Sequence, residues 1–306
     1  MIISCGGGKQ MQRYRIGEVS KMVDVPVETI RFLEQKGLFS PEKNTETGYR
    51  FYSVWDINLI LDYKKFRKIG FSSRETVDLV RDSSFADLLE QLDVKRKEVA
   101  YLAHYYQAKA LKLKNFHSVL GNAPELVGKY YIMNCPENYS LFTRSHSGKS
   151  LKMTNARDTE GCFEEFTRNY PFVEHIYRLK KGELMLPEDL EEAEWGLTVK
   201  KYWADRLGIQ LLPRMEHIRP VTALFTVITL EEREYFTKSA VENALRYMED
   251  HHYTLCGDIL GIYIATVKEG VRSVRYMELW IPIAGEDSAI AFSEDRKRTE
   301  LKKIFG

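Results

Sequence analysis

A carboxylate between two aromatic rings is the arrangement in this sequence best suited to binding a small molecule. In segment 275–283 alternate positions are aliphatic, and the positions between them are Tyr276, Glu278 and Trp280. This two-residue alternation predicts a strand with two different faces. Ring quadrupoles and a partly desolvated Glu278 would hold a lipophilic cation. The alternative is that Glu278 lies on the solvent-facing half of an ordinary antiparallel strand.

Neighbouring segments are predicted to position this strand. Residues 221–228 and 259–267 have strand composition, and a turn at Glu269-Gly270 follows the second of them. Helix 231–251 should cover the aliphatic face, while Phe225 and Tyr263 are the aromatic residues that the two strands offer to the site. A weaker strand, helix, strand, strand order over 129–203 suggests an internal duplication.

Two short helices separated by a turn are predicted near the N-terminus, followed by a basic, aromatic hairpin. They lie at 14–20 and 27–34, and the hairpin lies at 47–52. The second helix of such a pair enters a DNA major groove, and a hairpin beside it contacts phosphates. Two more helices should begin after Ser53 and Ser72, which both have capping-box form.

A basic cluster occupies the end of the first of these later helices and consists of Lys64, Lys65, Arg67 and Lys68. It is either a solvated helix face or a patch that binds backbone phosphates.

A long helix over 84–120 is predicted by apolar residues spaced 3, 4 and 7 apart, with Lys95 and Lys109 at two skipped positions. The alternative is an ordinary core helix, but a seam this narrow among charges favours a coiled-coil dimer. The sequence Gly121-Asn122-Ala123-Pro124 should stop the helix and act as a linker.

Composition excludes several classes of protein. The net charge of +1 over 306 residues gives no support for nucleic-acid binding, so positive residues must be sorted by the fold. Scattered cysteines indicate a reducing, cytoplasmic setting and argue against a structural zinc; they are Cys5, Cys135, Cys162 and Cys256. No apolar run approaches the roughly 20 residues of a membrane span.

The N-terminal motifs resemble the MerR family of transcription regulators. The resemblance rests on Ile16-Gly17-Glu18-Val19, Gly37-Leu38, Gly48-Tyr49-Arg50-Phe51-Tyr52 and Ile69-Gly70-Phe71. The long helix resembles the antiparallel dimerisation helix of that family. The strand order and the ending at 276–283 are similar to GyrI-like effector-binding domains, and the whole chain resembles Bmr-type multidrug-responsive activators.

This resemblance implies roles for individual residues. Thr29 and Arg31 would face bases or nearby phosphates, and Tyr49, Arg50 and Tyr52 would hold the backbone from the wing. Taken singly, the two tyrosines are equally well explained as packing residues. The two tyrosines usual in the family after the recognition-helix arginine are replaced by Phe32 and Leu33, which removes two hydroxyl donors.

In the C-terminal region, the resemblance implies that Glu278 lines an effector pocket and that Trp195 stands where relatives carry a pocket aromatic. Gly261 replaces a second acidic pocket residue, so a neutral ligand becomes an alternative. The resemblance also implies partners: promoter DNA, RNA polymerase at that promoter, a second copy of the chain and a lipophilic effector that changes the twist of the bound duplex.

Two rival functions have less support. A thiolate metal sensor needs two or three close cysteines, and only Cys135 lies near the end of the long helix. A hydrolase would use Glu278 as base with the hydroxyl of Tyr276 or Tyr263, but no nucleophile motif accompanies them. The sequence predicts neither a catalytic residue nor a cofactor.

The expected fold is an α+β multidomain chain with a winged helix-turn-helix, an antiparallel coiled-coil helix and a GyrI-like duplicated β-α-β-β domain. The predicted boundaries are a disordered or extended N-terminus at 1–12, the DNA-binding domain at 13–82, the dimerisation helix at 83–121, the effector domain at 127–285 and a charged tail at 286–306.

Overall fold

The computed structural model describes residues 12–147, 150–153, 161–185, 192–232 and 234–284. The chain divides into two compact units, and the division falls after Ala103, inside one long helix. The predictions for an extended N-terminus and for a charged tail concern residues 1–11 and 286–306, which lie outside the described residues. None of the helices in the described part combines the length and the apolarity needed to cross a membrane.

The described residues of the first unit form a small sheet and four short helices, followed by the start of a longer one. In chain order these are β1 (Tyr14–Arg15), α1 (Ile16–Val23), α2 (Val27–Gln35), β2 (Glu42–Lys43), β3 (Arg50–Tyr52), α3 (Val54–Ile69) and α4 (Ser73–Asp82). The sheet is antiparallel in the order β1-β3-β2. Two helices followed by a hairpin match the predicted helix-turn-helix with its wing.

Local signals set the ends of the later helices. The Ser53 hydroxyl accepts from the backbone N–H of Asp56 at 3.2 Å, and the Asp56 carboxylate accepts from the Ser53 N–H at 2.8 Å. Ser72 and Glu75 form the same reciprocal pair at the start of α4. Helix α3 ends at Gly70, whose φ of 112° suits glycine. Both predicted capping boxes are therefore present.

A single helix, α5 (Phe85–Leu126), connects the two units in sequence. Six apolar side chains of the predicted seam remain exposed in the single chain: Phe85, Val99, Leu102, Tyr106, Leu113 and Phe116. The predicted stop at Gly121 is wrong, since the helix runs two residues beyond Pro124. Proline removes only one hydrogen bond in a last turn, and burial of Ala123 and Leu126 holds that turn in place.

The described residues of the second unit form ten strands and three short helices, besides the end of α5. The strands are β4 (Tyr131–Asn134), β5 (Asn138–Ser147), β6 (Ser150–Met153), β7 (Val173–Leu179), β8 (Glu192–Lys200), β9 (Glu216–Ile218), β10 (Thr222–Glu231), β11 (Thr254–Leu255), β12 (Ile259–Glu269) and β13 (Arg272–Ala284). The helices are α6 (Cys162–Thr167), α7 (Lys201–Leu207) and α8 (Lys238–Asp250), with a 3-10 turn at Glu183–Met185.

These strands form one sheet with a symmetrical order. The main path is β4-β10-β13-β12-β7-β8-β5-β6, with β12 next to β7 at its centre. Apart from the short strands β6 and β11, a strand, helix, strand, strand segment stands on either side of that centre: β5-α6-β7-β8 on one side and β10-α8-β12-β13 on the other. These two four-element segments occupy mirror-related positions along the sheet.

Two short connections require the sheet to curl. Three residues separate β4 from β5, and three separate β9, which pairs with β5, from β10. Four residue steps reach at most about 14 Å. A flat sheet would place β4 and β5 six strand spacings apart, or about 29 Å. The ends of the sheet must therefore approach each other.

The two faces of the sheet differ. The outer face carries Leu224, Met277 and Leu279, which pack with α8 as predicted for the aliphatic side of β13. The inner face carries Phe225, Tyr276 and Trp280, which pack with the end of α5.

The predicted helix 231–251 is shorter than expected, because α8 begins only at Lys238. Residues up to Glu231 remain in β10, since Glu231 still pairs with Val274 of β13. Phe236, expected on the helix, precedes it and packs against Gly261 and Met277. The extra strand pairing and this aromatic contact together account for the later start.

Candidate DNA-binding head and effector site

Helix α2 buries one side and exposes the other. Ile30 and Leu33 are completely buried in the core of the first unit, while Arg31 is exposed and Thr29 is half-buried. Among the described residues, Arg31 has no hydrogen bond or ion pair. The two side chains predicted to face DNA are thus available on the surface of this helix.

The wing is tied to α2 by one ion pair. Arg50 of β3 donates through Nε to Oε1 of Glu34 at 2.8 Å. This hydrogen bond and the Glu34 charge raise the pKa of Arg50 above its usual value. Tyr49 is exposed, and the Arg15 guanidinium lies 5.4 Å from its ring centroid. Tyr49 and Arg50 therefore remain at the surface, with Arg50 held by the helix beside it.

Tyr52 does not fit its predicted role as a phosphate contact. Its side chain is completely buried and packs edge-on against Phe39, with ring centroids 5.9 Å apart. Burial and the charge of Glu34 raise the pKa of Tyr52 to about 12. The reason is its register, because Tyr52 pairs with Tyr14 and points into the core. The packing alternative holds for Tyr52.

Two basic residues of the predicted phosphate patch bind the protein itself. Lys64 donates to the backbone oxygen of Val23 at 2.8 Å and pairs with the Asp24 carboxylate at 3.2 Å, at the end of α1. Arg67 donates to the backbone oxygen of Phe71. Lys64 thus stabilises the end of α1 and Arg67 the end of α3, so both are less available for DNA than Arg31 is.

Glu278 is buried on the inner face of the sheet and is only 4% exposed. The indole Nε1 of Trp280 donates to its Oε2 at 3.1 Å. The alternative of a solvent-facing glutamate on β13 is therefore wrong. A buried carboxylate costs free energy unless it is compensated, so the surroundings of Glu278 are expected to matter for function.

Aromatic rings surround Glu278 on the same face. Phe225 of β10 pairs in register with Trp280, and their ring centroids lie 4.7 Å apart. Tyr276 is nearly buried, and its hydroxyl donates to the Glu269 carboxylate. The structure thus brings together four of the six predicted effector residues.

Tyr263 and Trp195 lie on the opposite face. The His175 ring lies 5.5 Å from the Tyr263 ring and 5.7 Å from the Trp195 ring, measured between centroids. His175 alternates along β7 with Ile176, which packs on the inner face. Tyr263 likewise alternates with inner-face residues of β12, so neither aromatic residue reaches Glu278.

The position of Gly261 also corrects an expectation. A Cβ atom built on Gly261 would lie 2.7 Å from the Phe236 ring, and Gly261 pairs with Leu279. The residue therefore faces outward, and its lack of a carboxylate does not change the surroundings of Glu278. Tyr263 donates to Thr266 on that same face, so it cannot orient a base at Glu278.

The sequence reasoning missed several polar residues of the inner face. Lys112 of α5 forms an ion pair with Glu174 of β7, and Lys200 at the end of β8 lies in the field of Glu174 and Glu278. Asn138, opposite Lys200, is completely buried. The alternation of Leu197 and Val199 with Thr198 and Lys200 was a usable signal for this polar face.

The first unit has the architecture of a winged helix-turn-helix, a class of nucleic-acid-binding domain. Residues 14–82 match the family profile described as MerR HTH family regulatory protein. The HTH-type transcriptional regulator CueR of Escherichia coli O6:H1 is 33% identical over 93 residues, which cover 30% of this chain and 67% of CueR. The chain belongs to the MerR family of helix-turn-helix regulators, a family of DNA-binding proteins.

Two further similarities extend the comparison. The HTH-type transcriptional regulator ZntR of Escherichia coli K12 is 36% identical over 67 residues, covering 22% of this chain and 48% of ZntR. The chain thus spans about half to two thirds of the length of these two regulators. A solved structure of EcmrR bound to DNA in an EcmrR-RPo complex has 16% identity and a TM-score of 0.32, covering 88% of this chain and 99% of that one.

Proposed function

We propose that this chain is a homodimeric, ligand-responsive transcription regulator that binds promoter DNA through its first unit. Arg31 and Thr29 of α2 would enter the major groove, and Tyr49 and Arg50 would hold the backbone. Family membership supports the DNA partner, and the exposure of Arg31 supports its contact with bases or adjacent phosphates.

The dimer would form along α5. The exposed apolar residues of this helix form a continuous seam, whereas the surface of a monomer carries mostly single, scattered apolar residues. Burial of the seam against a second copy would be a strong driving force for association. The antiparallel arrangement follows the family resemblance.

The second unit would hold a small lipophilic effector on its inner face. One observation carries this part of the proposal: a carboxylate, Glu278, is buried among the rings of Tyr276, Phe225 and Trp280. Ligand sites are largely apolar and contain a few convergent polar groups. The mirror-related strand order supports a GyrI-like domain. The hydrolase alternative loses its Tyr263 partner, and CueR and ZntR, the two sequence relatives described above, are named as regulators.

Effector binding would shift the dimer between two arrangements that deform the promoter differently. Deforming a promoter site costs on the order of a few kcal/mol. The difference in ligand affinity between the two arrangements would supply this free energy. RNA polymerase would then read the changed spacing of the promoter elements.

Two matched pairs of variants test the proposal. Arg31→Ala should weaken binding to a DNA site obtained by in vitro selection, by about tenfold, whereas Arg246→Ala on α8 should not. A thermal-shift screen of dyes, quaternary amines and neutral antibiotics should give ligands that raise the melting temperature of the full chain. Glu278→Gln should reduce that shift, and Glu242→Gln, at an exposed position, should not.

Two results would contradict the proposal. DNA binding that is unchanged in Arg31→Ala would remove the recognition helix from its proposed role. Ligand-induced shifts that are equal in Glu278→Gln and Glu242→Gln would remove the effector from the inner face.

A further inference from the structure

Lys200 and Glu278 face the same interior although three strand spacings separate them in the sheet. Glu278 lies on β13 and Lys200 on β8, with β12 and β7 between them. The curl of the sheet turns both strands toward one interior, and the charge of Glu278 acts on Lys200 there. Cys135, in the connection from β4 to β5, is buried and lies within the electrostatic reach of both charges.

The remaining charges of this face already have close partners. Lys112 is paired with Glu174, and Arg178 is paired with both Glu194 and Glu216. Among the described residues, by contrast, Lys200 has no ion pair or hydrogen bond through its side chain. Among the same described residues, Glu278 receives a hydrogen bond from the Trp280 indole alone. One positive and one negative group are thus left without a direct counter-charge.

Lys200 stays charged in this setting. Burial lowers its pKa, but the charges of Glu174 and Glu278 outweigh burial, and the pKa of Lys200 lies above its usual value. A cationic ligand at Glu278 would therefore meet the field of Lys200.

Asn138 supplies an independent sign of a ligand. It is completely buried, and neither its Oδ1 nor its Nδ2 has a hydrogen-bond partner among the described residues. Its register partner on β8 is Lys200, and its neighbours on the inner face are Ser140 and Thr198, which bond to each other at 2.8 Å. A buried amide without partners costs free energy, so a polar group bound beside Lys200 would be favoured.

We propose that the inner face binds a zwitterionic aromatic molecule, with its anionic group at Lys200 and Asn138 and its cationic group at Glu278. The aromatic body would lie against Trp280 and Phe225. This inference rests on the proposed function, because it describes the effector of the same face. It replaces the lipophilic cation suggested by Glu278 alone.

Lys200 and Glu278 favour ligand groups of opposite charge. A pure cation at Glu278 is repelled by Lys200, and a pure anion at Lys200 is repelled by Glu278. A dipolar ligand satisfies both groups and adds hydrogen bonds to Asn138, whose amide both donates and accepts. Because these charges act in a low-dielectric interior, the difference between ligands is expected to be large.

A matched set of indole compounds tests the charge requirement. Tryptophan is a zwitterion, tryptamine a cation, indole-3-propionate an anion and indole-3-propionamide neutral. Their binding to the full chain is measured by calorimetry at millimolar concentration. Tryptophan should bind at least about tenfold more tightly than tryptamine or indole-3-propionate.

Variants test whether Lys200 binds the anionic group of the ligand and Glu278 the cationic group. Lys200→Met should abolish the preference for tryptophan over tryptamine, and Lys200→Arg should preserve it. Glu278→Gln should abolish the preference over indole-3-propionate. Lys201→Met is the control, since Lys201 is paired with Asp205 on α7, and its preferences should equal those of the wild type.

Three outcomes would overturn the inference. The first is tighter binding of tryptamine by the wild type that is lost in Glu278→Gln, which would leave the proposed effector site standing. The second is a preference unchanged in both Lys200→Met and Glu278→Gln. The third is no binding of any of the four compounds, and the thermal-shift screen with lipophilic compounds then decides the proposed function separately.

Discussion

Arg50 on the wing donates to Glu34 on the recognition helix, with 2.8 Å between Nε and Oε1. The pair joins two elements that are both expected to contact DNA. Glu34 is mostly buried, at 18% side-chain exposure, and so provides a fixed anchor for the longer Arg50 side chain. The orientation of Arg50 therefore depends on the negative charge of Glu34, which lies beside the surface proposed to contact DNA.

Glu34→Gln should lower the affinity for a selected DNA site, by a few-fold. Electrostatics alone predicts the opposite, because the substitution removes a negative charge near phosphates. Loss of the anchor outweighs this gain, since a charged hydrogen bond of this type contributes about 1–2 kcal/mol. Fluorescence anisotropy at fixed salt measures the change. Glu28→Gln, exposed on the same helix, should bind slightly more tightly, and a Glu34 variant that behaves like it would contradict the anchoring role.

Leu102→Lys should convert the proposed dimer into monomers. Leu102 lies on the exposed seam of α5, and a lysine there would place charges in the dimer interface at a cost of several kcal/mol. Analytical ultracentrifugation reports the mass. Val94→Lys is the control, because Val94 is also exposed but lies outside the heptad seam, one position before Lys95. Monomers in both variants, or in neither, would argue against the heptad seam.

Local sequence signals were sufficient to predict the helices of the first unit. The capping residues Ser53 and Ser72 and the turn glycine Gly70 act on neighbours within four residues, and the helices begin and end where these signals predict. The same reasoning failed at Pro124, because burial of Ala123 and Leu126 against the sheet is a long-range effect that no local signal contains.

The effector site was predictable only along a single strand. Alternation placed Tyr276, Glu278 and Trp280 on one face of β13, and the structure confirms that shared face. Alternation does not show which faces of different strands coincide, so it grouped Tyr263 with Glu278 in error. The family resemblance, which suggested Trp195, carries no information on the face of its strand. That Lys200 and Glu278 face one interior depends on the curl of the sheet, which follows from strand order and short connections.

Gly196→Ala should destabilise the second unit by about 2 kcal/mol or more. A Cβ atom on Gly196 would lie 2.0 Å from the backbone oxygen of Leu141, and backbone atoms in a paired strand cannot move aside easily. Urea denaturation measures the loss. Gly121→Ala is the matched control, because no atom lies within 4 Å of its Cβ position in α5, and it should stabilise by about 0.5–1 kcal/mol. Equal effects of the two substitutions would contradict this account.

The ion pair between Lys112 and Glu174 should make stability depend on pH in the acid range. Burial raises the pKa of Glu174, but Lys200 and Lys112 outweigh it, so the pKa in the folded state lies below its usual value. A depressed pKa contributes stability that is complete above the unfolded value of about 4.3 and is lost as pH falls through the folded value.

Glu174→Gln should therefore cost about 3 kcal/mol at pH 7, because it leaves Lys112 buried without its partner, and the cost should shrink below pH 4.5. Urea denaturation at several pH values gives both quantities. The double variant Lys112→Met with Glu174→Gln should recover part of the loss, because Lys112 is then no longer a buried charge without a partner, while Lys200 still loses the charge of Glu174. Glu242→Gln, in an exposed pair with Arg246, should have little effect at any pH. A cost for Glu174→Gln that stays constant from pH 7 into the acid range would show that the carboxylate acts by shape and not by charge.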